Sequence, residues 1–179
     1  MPRFAAFFGS INVGGNRVAM ADLRSALERE GIENVETVVA SGNVLFDFAE
    51  RPTEGLGELF EWVMADRFGT KSFAAVRSRA EVAAAIDDNP FAADGAENLV
   101  HTQFLERQPS AEQFALLVEE HAGRGRERLA LGDRALYTDY VDGAGNSRLT
   151  GDFIARRLGC RGTARNIRSL RRILAKMDQ

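Results

Sequence analysis

Val35-Glu36-Thr37-Val38-Val39-Ala40-Ser41-Gly42-Asn43-Val44-Leu45-Phe46-Asp47-Phe48 holds two β-branched or aromatic runs, residues 35–40 and 44–48, broken by Ser41-Gly42-Asn43. Glycine and asparagine tolerate the positive φ of a tight turn, so the stretch predicts a hairpin. Upstream, Met20, Leu23 and Leu27 recur at helical spacing and Gly31 offers a left-handed stop, which predicts an amphipathic helix over 19–30. Downstream, Leu56, Leu59, Phe60, Val63, Met64 and Phe68 form a second helical stripe closed by Gly69. Residues 3–8 and 72–76 are short apolar runs of strand character, the first stopped by Gly9. Ser78 with Glu81 three residues later is a capping box, and the helix it opens must end near Asn89, because Pro90 holds its predecessor extended. The first half therefore reads β-α-β-β-α-β with one helix appended.

After a polar stretch at 92–98 the order returns. Residues 99–105 predict a strand, and Ser110 with Gln113 caps a helix carrying Phe114, Leu117 and Val118 and ended by Gly123. Residues 128–131 and 134–141 predict a second hairpin, with Gly132-Asp133 as a type II′ turn. Leu149, Phe153, Ile154 and Leu158 mark a helix stopped by Gly159; a weak extended piece at 161–164 precedes a final helix whose Ile167, Leu170, Ile173, Leu174 and Met177 share one face. The element order repeats although the side chains do not. The expectation is an α+β chain of two ferredoxin-like subdomains, 1–92 and 98–179, held as one compact unit, the second with a degenerate last strand.

The 179 residues, 45% apolar and 27% charged, exclude collagen-like, disordered and membrane-spanning classes. The apolar run at 4–8 is too short for a signal-peptide core, so the expected location is the cytoplasm, with no membrane partner. A single cysteine, Cys160, with only His101 and His121 beside it, forms no intramolecular disulfide and no metal-ligand set, so neither metal nor cofactor is expected. Charge is uneven. Residues 1–98 carry 9 basic and 16 acidic side chains, whereas residues 148–179 carry 9 and 2.

Catalytic groups are few. His101 lies in an apolar strand and reads as a core histidine; His121 sits in the last turn of a helix, where it complements the dipole. Cys160 reads as a buried thiol, Asp87-Asp88 as a solvated turn, and Asn89-Pro90-Phe91 as a helix stop with an anchoring phenylalanine. The loop Ile11-Asn12-Val13-Gly14-Gly15-Asn16 is suited either to a simple chain reversal or to a nest of backbone N–H groups for an anion. It has neither the Lys-Ser/Thr ending of a phosphate-binding loop nor the glycine order of a dinucleotide site. In the last helix Arg165, Arg168, Arg172 and Lys176, with Arg161 upstream, read as a solvated face or as a phosphate-gripping stripe.

The ordered set Ile11-Asn12-Val13-Gly14-Gly15, Ser41-Gly42-Asn43-Val44, Asn89-Pro90-Phe91, Ser147-Arg148-Leu149-Thr150 and Arg165-Asn166 resembles the bacterial proteins grouped as domain of unknown function 1697. The resemblance runs over residues 3–177 and implies a soluble α+β protein on a duplicated ferredoxin-like plan, with no activity attached. The family pattern has Arg-Gly where this chain has Gly9-Ser10, and an aromatic residue, often tryptophan, where it has Ile167.

Two expectations of function follow. In the first, Asn12, Gly14, Gly15, Ser41, Asn43, Arg165 and Asn166 gather at a cleft between the halves around a small anionic or nucleotide-like ligand, since asparagine reads a polar edge without titrating and arginine holds a phosphate or carboxylate. In the second, Arg161, Arg168, Arg172 and Lys176 make a nucleic-acid or acidic-protein binding module.

Overall fold

The computed structural model describes residues 1–9, 18–39 and 42–179. The elements are β1 (Arg3–Gly9), α1 (Met20–Glu28), β2 (Glu33–Thr37), β3 (Asn43–Asp47), α2 (Leu56–Phe68), β4 (Phe73–Ser78) and α3 (Arg79–Asp87), followed by β5 (Val100–Leu105), α4 (Ala111–His121), β6 (Arg128–Gly132), β7 (Ala135–Asp139), α5 (Gly151–Leu158), β8 (Gly162–Asn166) and α6 (Ile167–Met177). Two four-stranded sheets result, ordered β2-β3-β1-β4 and β6-β7-β5-β8, with every pairing antiparallel. This is the ferredoxin-like plan written twice, with β3 and β7 in equivalent places. The chain packs as two compact units, Met1–Ala83 with Arg172–Gln179, and Ala84–Arg171. The division falls inside α3 rather than in the polar stretch at 92–98, and the end of α6 belongs to the first unit. There Arg79 donates to both oxygens of Asp178, at 2.8 and 2.9 Å.

In the first unit the strand alternation sorts side chains by face. Phe4, Ala6 and Phe8 of β1 join Val44 and Phe46 of β3 and Ala74 and Val76 of β4 in one core with Leu23, Leu27, Phe60, Val63 and Met64 of the helices. Phe46 is the hub: its ring centroid lies 4.8 Å from Phe60 and 5.6 Å from Phe4. The opposite face of the same strands carries Ala5, Phe7, Leu45 and Arg77, also buried. The second unit builds its core from Leu105, Leu117, Leu136, Tyr140, Leu149, Ile154 and Leu158.

Helix ends follow the sequence signals. Ser110 and Gln113 form the reciprocal capping box, Ser78 and Glu81 exchange the same pair of bonds, and Thr150 accepts from Phe153 N at 3.2 Å to open α5. Two expectations need correction. The piece at 161–164 is a full five-residue strand, β8, paired with β5 from His101 to Leu105. The second hairpin turns at Asp133-Arg134, because Gly132 still pairs with Ala135 and the positive φ, 46°, belongs to Arg134. Gly132 is required instead by Tyr137, whose hydroxyl stands 2.4 Å from where a Cβ would be.

Gly57 packs tightly: a Cβ there would stand 2.0 Å from the carbonyl oxygen of Ala74 in β4. In an ordinary helix interior Gly→Ala stabilises by about 1 kcal/mol. Here the backbone itself blocks the methyl group, so Gly57→Ala is expected to destabilise by about 1–3 kcal/mol in chemical denaturation. A stabilised variant would show that α2 does not rest on β4 this closely.

Candidate functional site

The first group of expected site residues belongs to the first unit. Asn12, Gly14, Gly15 and Ser41 lie outside the described residues. The described residues that flank their two segments are neighbours: Phe8 N, one residue before the end of β1, donates to Gly42 O at 2.8 Å, and Val38 N donates to Asn43 O at 3.1 Å. Asn43 opens β3 directly opposite Phe7 and is only 3% exposed. Residues directly opposed on neighbouring strands share a sheet face. Asn43 therefore stands on the face of Phe7, Ala5 and Arg77, away from the unit's helices.

Arg165 and Asn166 belong to the second unit. Sequence placed both at the start of a helix; they are the last two residues of β8, so their side chains leave opposite faces of the sheet. Arg165 faces the same way as Thr102, its partner on β5, and as Thr163 two residues earlier. Its Nη1 donates to Thr163 Oγ1 and to Ala164 O, both at 2.9 Å. Burial withdraws water from the guanidinium and pushes its pKa down to about 10. Asn166 instead caps α6, its side-chain oxygen accepting from Ser169 N at 2.8 Å, while Arg168 N donates to Glu97 O at 3.2 Å. Two donors of the helix entrance are thus satisfied within the protein rather than offered to an anion.

Asn89 is an anchor. Its amide donates to His101 O and Thr102 Oγ1, at 3.2 and 3.1 Å, and its oxygen accepts from Phe91 N, while Thr102 Oγ1 donates to Ala85 O at 2.6 Å. These bonds tie the end of α3 to the strand that carries Thr102 beside Arg165. His101 packs edge-on against Tyr140, with burial lowering its pKa against the opposing pull of a bond to the Asn98 backbone. Burial pushes the Cys160 thiol up, which keeps it protonated at neutral pH and unreactive.

His121 lies in the last turn of α4, as expected. It is buried with Nε2 3.2 Å from Glu127 Oε2, at ion-pair distance without hydrogen-bond alignment, and Glu127 Oε1 accepts the Ser147 hydroxyl proton. Burial pushes the Glu127 carboxyl up, but the bonds from Ser147 and from its own backbone, with His121 beside it, outweigh that and hold it below the usual carboxylate range. Sequence reasoning missed this trio, since residues 6 and 20 positions from Glu127 obey no spacing rule. Among the described residues no group of three His, Cys, Asp or Glu side chains can hold a metal ion.

Of the expected basic stripe, Arg161 lies before β8 and is paired with Glu106 at 2.6 Å; Arg168, Arg172 and Lys176 are exposed along α6 at i, i+4 and i+8. Their helical neighbour Arg171 pairs with Glu97.

Residues 1–137 match the family described as protein of unknown function (DUF1697). The chain belongs to this family. The DUF1697 match ends in β7, so Ser147–Thr150 and Arg165–Asn166, part of the expected resemblance over 3–177, lie beyond it. A solved structure described as a conserved bacterial protein from Streptococcus pneumoniae is similar over 100% of this chain and 99% of its own, at 21% identity and a TM-score of 0.64. That likeness is one of fold and covers both repeats. No curated protein is detectably similar to the chain. No helix among the described residues is long and apolar enough to cross a membrane.

Glu127, Asp47 and Glu106 all have carboxyl pKa values lowered by folding. A lowered folded pKa gives stability that is complete above the unfolded value of about 4 and is lost as pH falls through the folded values. The melting temperature should therefore hold from pH 7 to about 5 and drop below about 4, and Glu127→Gln should flatten part of that drop. An unchanged acid limb in Glu127→Gln would show that this carboxylate contributes nothing to it.

Proposed function

We propose that this protein binds small anionic, nucleotide-like ligands, with Arg165 as the anion anchor of the second unit and the polar segments at Asn12, Gly14, Gly15, Ser41 and Asn43 as readers of polar edges in the first. One observation carries the reading: Arg165 is an arginine drawn out of water on a sheet face, beside threonine hydroxyls, with its pKa pushed down to about 10 by desolvation alone. A cation held this way gains more from an approaching oxyanion than one in open solvent, because the surrounding dielectric is low and part of its desolvation is already complete. Its planar fork matches a phosphate or carboxylate. The pairing of Phe8 N with Gly42 O supports the second part, since it brings the flanks of two segments rich in glycine and amide side chains to one end of a sheet.

The basic face of α6 supports a nucleic-acid role less well. Arg161 and Arg171 are paired with Glu106 and Glu97, and that leaves Arg168, Arg172 and Lys176 as exposed charges on one stripe. Three phosphate contacts give a weak, strongly salt-dependent association.

Thermal-shift screening against nucleotides, phosphorylated metabolites and carboxylates tests the reading. A ligand at about 100 times its Kd is expected to add about 2.7 kcal/mol of stability. Arg165→Ala or Asn12→Ala should abolish the shift while each unliganded variant melts cooperatively. A panel without a single shift, or a shift that survives Arg165→Ala, would contradict the proposal.

A further inference from the structure

The inner side of α2, with Leu56, Phe60, Val63 and Met64, is buried in the core of the first unit, yet its outer side carries Trp62, the only tryptophan of the chain, 50% exposed. Tryptophan is highly buried on average, so an outward-facing one on a helix calls for a reason. α5, which holds the same place in the second repeat, has an ordinary solvated face, where its exposed side chains are Asp152 and Arg156. Along α2, Trp62 stands between two exposed carboxylates, Glu58 and Asp66, at i, i+4 and i+8, and the three form one stripe. α6 bears a stripe of the same length and spacing with the opposite charge, Arg168, Arg172 and Lys176, all exposed. Among the described residues the side chains of Glu58, Trp62, Arg168 and Arg172 make no hydrogen bond, ion pair or ring contact. Asp66 reaches its chain neighbour Arg67 at 3.5 Å, and Lys176 donates to Gln179 at 3.3 Å.

We propose that the outer face of α2 is an interaction surface for a second copy of this chain, and that its occupant is the basic face of that copy's α6. Rows of residues four apart are the ridges by which helices pack, and these two rows match position for position. Whichever way the helices run, Arg172 comes over Trp62 while Glu58 and Asp66 each meet a cation, Arg168 or Lys176. Arginine over the face of tryptophan is a favoured cation–π pair, and the same two residue types are enriched at the energetic centres of protein interfaces. An exposed alanine stands beside each central residue, Ala65 three positions after Trp62 and Ala175 three after Arg172, so no bulky side chain there holds the helices apart. The two surfaces are unlike, so the contact is head-to-tail and either closes into a ring or continues as a chain. One helix pair is a small interface, which makes the association weak, concentration-dependent and sensitive to salt. A nucleic acid does not fit the α2 face, because Glu58 and Asp66 repel phosphates. The inference shares no residue with the anion-binding reading and is independent of it.

A single tryptophan at the centre of the surface makes the test direct. The full chain is followed from micromolar to millimolar concentration by Trp62 fluorescence and by sedimentation velocity. Emission should move to shorter wavelength as the sedimentation coefficient rises, and both changes should vanish in about 1 M salt, where the screening length falls to about 3 Å. Arg172→Ala should weaken self-association by roughly two- to fivefold, the loss of one exposed cation–π pair. The charge-reversed variants Glu58→Lys/Asp66→Lys and Arg168→Glu/Lys176→Glu should not self-associate, yet should associate when mixed, because each then offers the surface that the other lacks. Emission and sedimentation that stay constant with concentration, self-association that survives either reversal, or a mixture that stays monomeric would overturn the proposal. So would a Trp62 shift that appears with added oligoarginine but never with protein concentration, since the occupant would then be a different cationic partner. Should a reversed variant fail to fold, the wild-type emission shift and its loss in salt decide the question.

Discussion

The register of β1 between β3 and β4, and of β5 between β7 and β8, is the constraint on which everything else rests. Because side chains alternate, a slip of one residue would turn Phe4, Ala6 and Phe8 away from the helices and carry Arg77 into the aromatic cluster around Phe46. The register is pinned at both levels. Phe46 stacks between Phe4 and Phe60, and at the far end of the pair Arg3 holds Asp47 at 2.9 Å, with Asn34 donating to the same carboxylate at 2.7 Å. In the second sheet the equivalent position is Asp139, held by Arg128 at 2.7 Å. Each unit thus locks its sheet with one arginine–aspartate pair and presents another arginine on its last strand.

That second arginine is the feature packing alone does not require. A cation drawn out of water carries a desolvation penalty, here on Arg77, which is buried, and on Arg165, which is half-buried. Such local conflicts with stability concentrate where a protein meets its ligand. The surrounding groups are settled: Asn166 and Ser78 cap helices, Asn89 fastens α3 to β5, and Ser147 bonds Glu127. What they have in common is that they hold the strands and helix entrances in place around Arg77 and Arg165.

The fold was legible where period and punctuation agree. The run from Val35 to Phe48 shows its hairpin because β-branched and aromatic residues stop at glycine and asparagine, and Ser110 with Gln113 shows its helix because two reciprocal bonds need that spacing. Gly162-Thr163-Ala164-Arg165-Asn166 was hard to read because its strand contains no large apolar residue; partnership with β5 makes it a strand. With no glycine or proline between Asn166 and Ile167, the junction with α6 was invisible, and Arg165 was drawn into the helix. Arg77 escaped notice because one charged residue after Phe73-Ala74-Ala75-Val76 looks like the exposed end of a strand, and only the register of both sheets reveals its counterpart. The His121, Glu127 and Ser147 contact was unreadable for a related reason, since it depends on where two loops and a helix end meet.

The central claim is that Arg165 is kept for a ligand and not for the fold. Replacing it with methionine, which fills a similar volume without a charge, separates the two most directly when the melting temperature is measured with and without a stabilising anion. If the claim holds, the wild type is stabilised by the anion while Arg165→Met still melts cooperatively and gains nothing when the anion is added. A variant that is stabilised by the anion to the same extent as the wild type would contradict it.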